Sequence, residues 1–334
     1  MMMNFKEIVE KQFDGFYLKP KKFTKNENYM QADYVELISL FSENTFVTAT
    51  DIVTRFKSEN ISPFNNQSSS ENDDELNGIK LFEKADFFDK QEFWINAIFE
   101  ILETRTSTYE EKYPFVVNGN KIILKKNLTE IQMIYLILLL SSNLNHFNLF
   151  QTILTTEFES ISSHAVKAIL PINAIIKGFG KNSDYTGSAT VKIRALAEDL
   201  NIEVREKEIE NVQGNQERGL DLIAWTPFKD KIPNMLIILC QCACGKEWAS
   251  KQSQTGRYNS YLDFYKSIPI HTMFIPYSLI GNSSMFDASD DLSPGILLFE
   301  RKRILESLQY TDFLAGLTSK VIVEECIKNN EDIV

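Results

Sequence analysis

The chain is short of cysteine, histidine and positive charge. Its 334 residues include four Cys and three His, and 46 Asp and Glu stand against 35 Lys and Arg, a formal net charge of -11. Each shortage excludes a class of protein. So few Cys build no disulfide framework of the kind that staples small secreted domains. A net acidic chain does not grip nucleic acid by bulk charge, which needs many cations to neutralise phosphates. That leaves room for a nuclease, whose basic groups can be local and whose acids can hold metal. Long apolar runs are also missing. The greasiest, IQMIYLILLL at 131–140, is about half the ~20 residues that span a bilayer and reads as a buried helix. The first residues, MMMNFKEIVEKQFDGF, are polar and of mixed charge, without the apolar centre of a signal peptide. A cytoplasmic protein with no membrane partner is expected. No internal repeat, collagen-like, coiled-coil or Pro-rich tract is visible.

What is present suits a globular protein with a sizeable core. Hydrophobic residues make up 43% and charged residues 24%, and a chain of 334 residues suggests two domains. Residues 1–148 read as mainly helical. DYVELISLF at 33–41 has helical spacing, and Thr48-Ala-Thr-Asp before IVTRF reads as a capped second helix. SPFNNQSSSENDDELN, within 58–77, is polar and acidic and reads as a flexible loop. Helix resumes over 89–104. Two β-rich runs around Asn118-Gly119 then signal a hairpin. Helices plus such a hairpin fit either a winged-helix-like module or packed helices of a bundle. Residues 149–334 change rhythm. Helices are expected at 155–170, 190–200, 258–267 and 301–308, and strands at 174–179, 220–225, 235–242, 272–275 and 296–299. Helix and strand in alternation indicate an α/β domain with a central mixed sheet flanked by helices.

The stretch RGLDLIAWTPFKDKIPNMLIILCQCACGKEW at 218–248 combines an apolar scaffold with isolated polar groups. Cys240, Cys242 and Cys244 alternate within it and share one face of a regular strand. A zinc site usually returns with a second ligand pair, and His146, His164 and His271 are scattered. Buried thiols are the simpler reading of CQCAC, with a metal or redox site as the competing one. Asp221 opens one apolar run, and Gln241 lies at the end of the next, with Lys246 just past it. An acid or amide inside an apolar strand is costly to bury without a partner. Glu159, on the preceding helix, is a third candidate, and Glu157 competes with it from a different helix face. Acids or amide oxygens on adjacent strand ends can hold Mg²⁺ or Mn²⁺, and a nearby Lys can orient water or neutralise charge developing on a phosphate.

These residues resemble the PD-(D/E)xK nuclease superfamily, the restriction-endonuclease-like fold. Phe158-Glu159 falls in FESISSHAVKAIL, Gly219-Leu220-Asp221 matches the first metal-bearing strand, and LIILCQ leads to Gln241. The resemblance covers about 150–310 and leaves the N-terminal half outside. It implies a metal-dependent DNA endonuclease, in a restriction or phage-defence setting, that works as a homodimer or with a protein partner held by the N-terminal domain. It implies Asp221, Glu159 and Gln241 as metal ligands and Lys246 as the catalytic cation. The chain departs from the pattern in one place. The family's Lys lies two residues after the Glu or Gln, where this chain has Ala243. Lys246 faces the wrong side of a regular strand unless the chain breaks at Gly245. A nuclease-like scaffold without catalysis is the alternative expectation. Arg301, Lys302 and Arg303, and the polar run at 251–258, are candidate phosphate contacts or solvated surface. Trp225 and Trp248 are expected to pack in the core.

Overall fold

The computed structural model describes residues 4–20, 28–59, 79–210, 212, 219–228, 230, 232, 234–281 and 291–329, with backbone alone for 79–90. The acidic loop expected at 58–77 lies largely outside the described residues. The protein is mixed α/β with two sheets and divides into two compact units. The first comprises 1–139, 278–288 and 320–334, and the second 140–277 and 289–319. Among the described residues, no helix is long and apolar enough to cross a membrane.

The first unit begins with α1 (Phe5–Phe13), α2 (Asn28–Phe41), β1 (Phe46–Thr48) and α3 (Ala49–Ser58). Thr48 caps α3 as its spacing predicts. Its side chain accepts from the Asp51 amide, and the Asp51 carboxylate accepts from the Thr48 amide at 2.8 Å, so two orphan N–H groups are satisfied reciprocally. The long α4 (Ile79–Tyr109), the hairpin β2 (Phe115–Asn118) and β3 (Lys121–Leu124), and α5 (Glu130–Ser141) follow. The hairpin pairs Asn118 with Lys121, so its loop is Gly119-Asn120, with Gly119 at φ +55°. A side chain resists that conformation, and a tight hairpin often requires it. The three strands order as β1-β3-β2, all antiparallel.

Helix α2 is buried on every side from Tyr29 to Phe41, so its polar residues need internal partners. Arg105 of α4 supplies them. It is fully buried, donating to Asp33 at 2.8 Å, Glu36 at 2.7 Å and the Tyr29 carbonyl at 2.9 Å. The Tyr113 and Tyr135 hydroxyls also donate to Glu36, at 2.8 and 3.0 Å. Burial works against the guanidinium charge, but Glu36 and Asp33 more than offset it and hold its pKa well above the ordinary value.

The second unit is built on a five-stranded sheet ordered β4-β5-β6-β7-β8. Its elements are α6 (Gln151–Ile169), β4 (Ile175–Gly178), α7 (Ala189–Leu200), α8 (Glu206–Ile209), β5 (Leu222–Trp225), β6 (Ile237–Cys242), α9 (Trp248–Lys251), α10 (Tyr258–Tyr261), β7 (Ile270–Phe274), β8 (Ile296–Phe299) and α11 (Arg301–Ser307). A last helix, α12 (Thr318–Lys328), closes the described chain. Strands β4, β5 and β6 form an antiparallel meander, and β7 and β8 continue from β6 in parallel. Ile223, Trp225, Ile237 and Leu239 share one sheet face with Ile193, Leu196 and Leu200 of α7. Helix α6 packs against β4, β5 and β6. Trp225 and Trp248 lie in the core, as expected. The helix expected over 258–267 is shorter: α10 stops at Tyr261, and a 3-10 turn, Phe264–Lys266, follows after Asp263 caps it.

Replacing Arg105 by Met should lower stability by about 3–5 kcal/mol, because two carboxylates would stay buried without their cation. Urea denaturation of wild type and Arg105→Met measures it. A loss under about 1 kcal/mol would show that the cluster is neutral to folding.

Candidate functional site

The β5–β6 pairing creates the site. Leu222 pairs with Cys240, so Asp221 stands opposite Gln241, one step past the ladder. The Asp221 amide donates to the Cys240 carbonyl at 2.9 Å. Its carboxylate replaces the next ladder acceptor and takes the Cys242 amide at 2.7 Å. The Asp221 carbonyl in turn accepts from the amides of Phe179 and Gly180, at 2.7 and 3.0 Å. Asp221 is 7% exposed, Gln241 5% and Glu159 5%, so the three are nearly buried.

Gly180 permits the close approach at β5. A Cβ there would lie 2.7 Å from Asp221 Oδ1, so any other residue pushes the carboxylate aside. The loop after β4 also reaches Glu159. The Asn182 backbone and side-chain N–H groups donate to Glu159 Oε2 at 3.4 and 3.3 Å, and Asn182 Nδ2 donates to the Thr156 carbonyl at 2.8 Å. Lys181 donates to Thr155 Oγ1 at 2.8 Å, so two neighbouring loop residues are tied to α6. A cavity of about 380 Å³ opens beside Glu159, with Thr156, Ser160, Asn182 and Asp184 in its wall.

Glu157 is placed elsewhere. Its carboxylate accepts from the amides of Thr318 and Ser319, at 2.8 and 2.7 Å, at the start of α12. This is a helix-cap role, so between the two acids of α6 it is Glu159 that meets the strand ends.

Gln241 donates to Gln254 Oε1 at 2.7 Å, while its own Oε1 is buried with no hydrogen-bond partner. An orphaned buried oxygen is costly and calls for an explanation. Cys242 and Cys244 report the local field. Burial pushes both thiols up, Asp221 pushes them further and Glu159 adds to it. The two carboxylates therefore act on the same pair of thiols. The cations that oppose them at Cys244 are Lys181 and Lys251. Lys246 is exposed on the turn after β6.

No family model, curated protein or solved structure matches this chain.

Among the described residues, no group of three or more His, Cys, Asp and Glu is placed to hold a metal ion. The three His are apart from the strand ends. His164 stacks on Phe313 with ring centres 4.0 Å apart, and His271 lies between Thr255 and Asn259. All four Cys are free. The strands place Asp221, Gln241 and Glu159 around one sheet end, with Asp221 and Glu159 joined by a shared field and Gln241 by register. The spacing missed Asn182, Gly180 and Gln254. A Gly-Lys-Asn run after a strand marked a loop, but no pattern said which helix it would meet.

Because burial holds the Cys240, Cys242, Cys244 and Cys326 thiols above their ordinary range, they are short of thiolate at neutral pH. Iodoacetamide labelling of the folded protein at pH 8 should be at least about tenfold slower than in urea, and should climb with pH beyond the point where free thiols level off. Equal rates in both states would contradict this burial. Separately, Gly180→Ala should cost about 1–3 kcal/mol in chemical denaturation, because the new methyl group displaces Asp221. An unchanged midpoint would show that the loop yields freely.

Proposed function

We propose that this protein hydrolyses phosphodiester bonds of DNA with Mg²⁺ or Mn²⁺, using the β5–β6 strand end and α6. The observation that carries the reading is the nearly buried set Asp221, Glu159 and Gln241 at one end of the second unit's sheet, with the Gln241 Oε1 unpartnered. The donor chemistry fits a hard cation, which takes oxygen ligands. Mg²⁺ is commonly held by only one or two carboxylates plus substrate phosphate, so a site without three clustered acids suits it. Asp221 and Glu159 would supply charge, and the Gln241 carbonyl a neutral oxygen. When bound, the metal lowers the pKa of water and offsets charge on the phosphate. In the hydrolysis a water oxygen bonds to phosphorus and the bond to one sugar oxygen breaks. The water's proton passes to solvent, and the leaving oxygen gains one.

Topology supports the same reading. Helix α6, the meander β4-β5-β6 and the parallel return to β7 agree with the order expected of a restriction-endonuclease-like core, with Asp221 one residue before the second strand and Gln241 on the third. After α1 the first unit runs helix, strand, two helices and a hairpin, with the sheet ordered β1-β3-β2, an order that agrees with the winged-helix-like reading. Its long helix α4 exposes Glu92, Phe93 and Glu103, and Phe93 is 77% exposed. An acidic, aromatic face suits a protein partner better than a phosphate backbone. The first unit is accordingly assigned to partner binding rather than to reading DNA.

Supercoiled plasmid incubated with Mg²⁺ should be nicked or linearised by wild type. Asp221→Ala and Glu159→Ala should each reduce the rate by about 100-fold or more. Cleavage that survives both substitutions, or that persists in EDTA, would rule out this site. A folded wild type that neither cleaves nor takes up Mn²⁺ would point to a non-catalytic scaffold.

A further inference from the structure

Gln241 carries an unmet hydrogen bond at the sheet end. It is 5% exposed, and its Oε1 is buried without a hydrogen-bond partner among the described residues. The other half of the same amide is committed: Nε2 donates to Gln254 Oε1 at 2.7 Å. A planar amide carries its oxygen and nitrogen on opposite sides of one carbon, so fixing Nε2 also fixes where Oε1 points. Without that bond the group could turn over about its last torsion, which is broad and two-fold. It would then present N–H groups where the oxygen now stands.

Gln254 is itself held from three sides. It opens a 3-10 turn, Gln254–Arg257, that lies against β6 and β7. The next residue, Thr255, is 1% exposed, and its Oγ1 stands 3.0 Å from His271 Nδ1 on β7. The other ring nitrogen, His271 Nε2, lies 3.2 Å from Asn259 Nδ2. An amide nitrogen only donates, so Nε2 accepts, and the proton of the neutral ring sits on Nδ1 and goes to Thr255. The turn is thereby pinned to β7, with Gln254 beside Gln241 of β6. Gly219 supplies the third constraint. Its φ is +87°, and a Cβ there would lie 2.5 Å from Gln254 Cβ and 2.7 Å from Gln254 Oε1. Glycine thus suits the backbone and also leaves Gln254 Oε1 the space from which it meets Gln241.

We infer that Gln254 is a positioning residue of the metal site: by holding Gln241 Nε2 it aims the buried Gln241 carbonyl oxygen at the cation. The inference rests on the hydrolytic reading above and adds the residue that orients one of its ligands. A hard cation takes oxygen, and an amide turned over would meet it with N–H groups instead. Partners that orient a ligand in this way set metal affinity without touching the metal. Gln254 acts through Gln241 alone, and the bonds made and broken in the hydrolysis are those already stated.

The test uses the full-length protein, with Mn²⁺ binding measured by calorimetry without DNA and plasmid cleavage followed over a Mn²⁺ series. Gln254→Met, similar in shape but only a weak acceptor, should weaken Mn²⁺ binding by about tenfold or more. Gln254→Asn, one methylene short of Gln241, should lose affinity in the same way. Gln254→Glu keeps the acceptor and should bind within about threefold of wild type or more tightly. Gln241→Met should also lose about tenfold, and adding Gln254→Met to it should change Kd by less than about threefold, because the two residues act in series. Saturating Mn²⁺ should return cleavage by Gln254→Met to within about threefold of wild type. The inference is overturned if Gln254→Met and Gln254→Asn bind Mn²⁺ as wild type does, or if their effect persists undiminished beside Gln241→Met. It is also overturned if Gln254→Glu falls as far as Gln254→Met, or if saturating metal restores nothing, since either marks a packing role. Failure of the underlying reading looks different: wild type then takes up no Mn²⁺ or shows no cleavage that depends on Asp221, and the Gln254 assignment goes with it. A cleaving wild type, a weakened Gln241→Met and an unaffected Gln254→Met would remove Gln254 alone.

Discussion

The second unit depends on the register between β5 and β6. Leu222 opposite Cys240 sets two consequences at once. It places Ile223, Trp225, Ile237 and Leu239 on one face, where α7 covers them. It also brings Asp221 level with Gln241 just where the ladder ends. Side chains alternate with a period of two, so a slip by one residue would carry the apolar set and Asp221 together to the opposite face, away from α7. The burial of four large hydrophobic side chains therefore holds the acid where it is. The site inherits its geometry from the core.

The polar groups at this sheet end are held largely by backbone. Asp221 takes the Cys242 amide and gives its carbonyl to Phe179 and Gly180, while Glu159 takes Asn182. Bonds of this kind fix a carboxylate's direction. The surroundings show the cost. Each thiol near the pair is driven away from ionisation, and Gln241 keeps an oxygen without a donor. Such unmet demands cluster where a ligand is to be received. The first unit meets the same problem in a closed form. Asp33 and Glu36 lie on a helix buried all round, and Arg105 with two tyrosines consumes their capacity within the protein. In the second unit's cluster it is the Gln241 oxygen that stays without a donor.

Local patterns were enough for most elements. Thr48 and Asp51 foretell the α3 cap, Asn118-Gly119 the hairpin, and the apolar runs before Trp225 and Cys242 the two central strands. Asp221 and Gln241 stand out in sequence because a polar group in such a run needs a partner. The returns of the chain to the first unit at 278 and 320 leave no mark in composition. Glu157 and Glu159 look alike on paper, and only the position of α12 commits Glu157 to capping.

The sequence by itself determined the strands, the caps and the buried polar residues, because those follow from hydrophobic period and from the hydrogen-bonding needs of single residues. Tertiary structure alone decided which acid of α6 faces the sheet and which loop clamps it. Each of these is a meeting of segments tens of residues apart, set by how helices and loops pack on the sheet. Spacing along the chain tells which residues share a helix face but not which distant segment that face will meet.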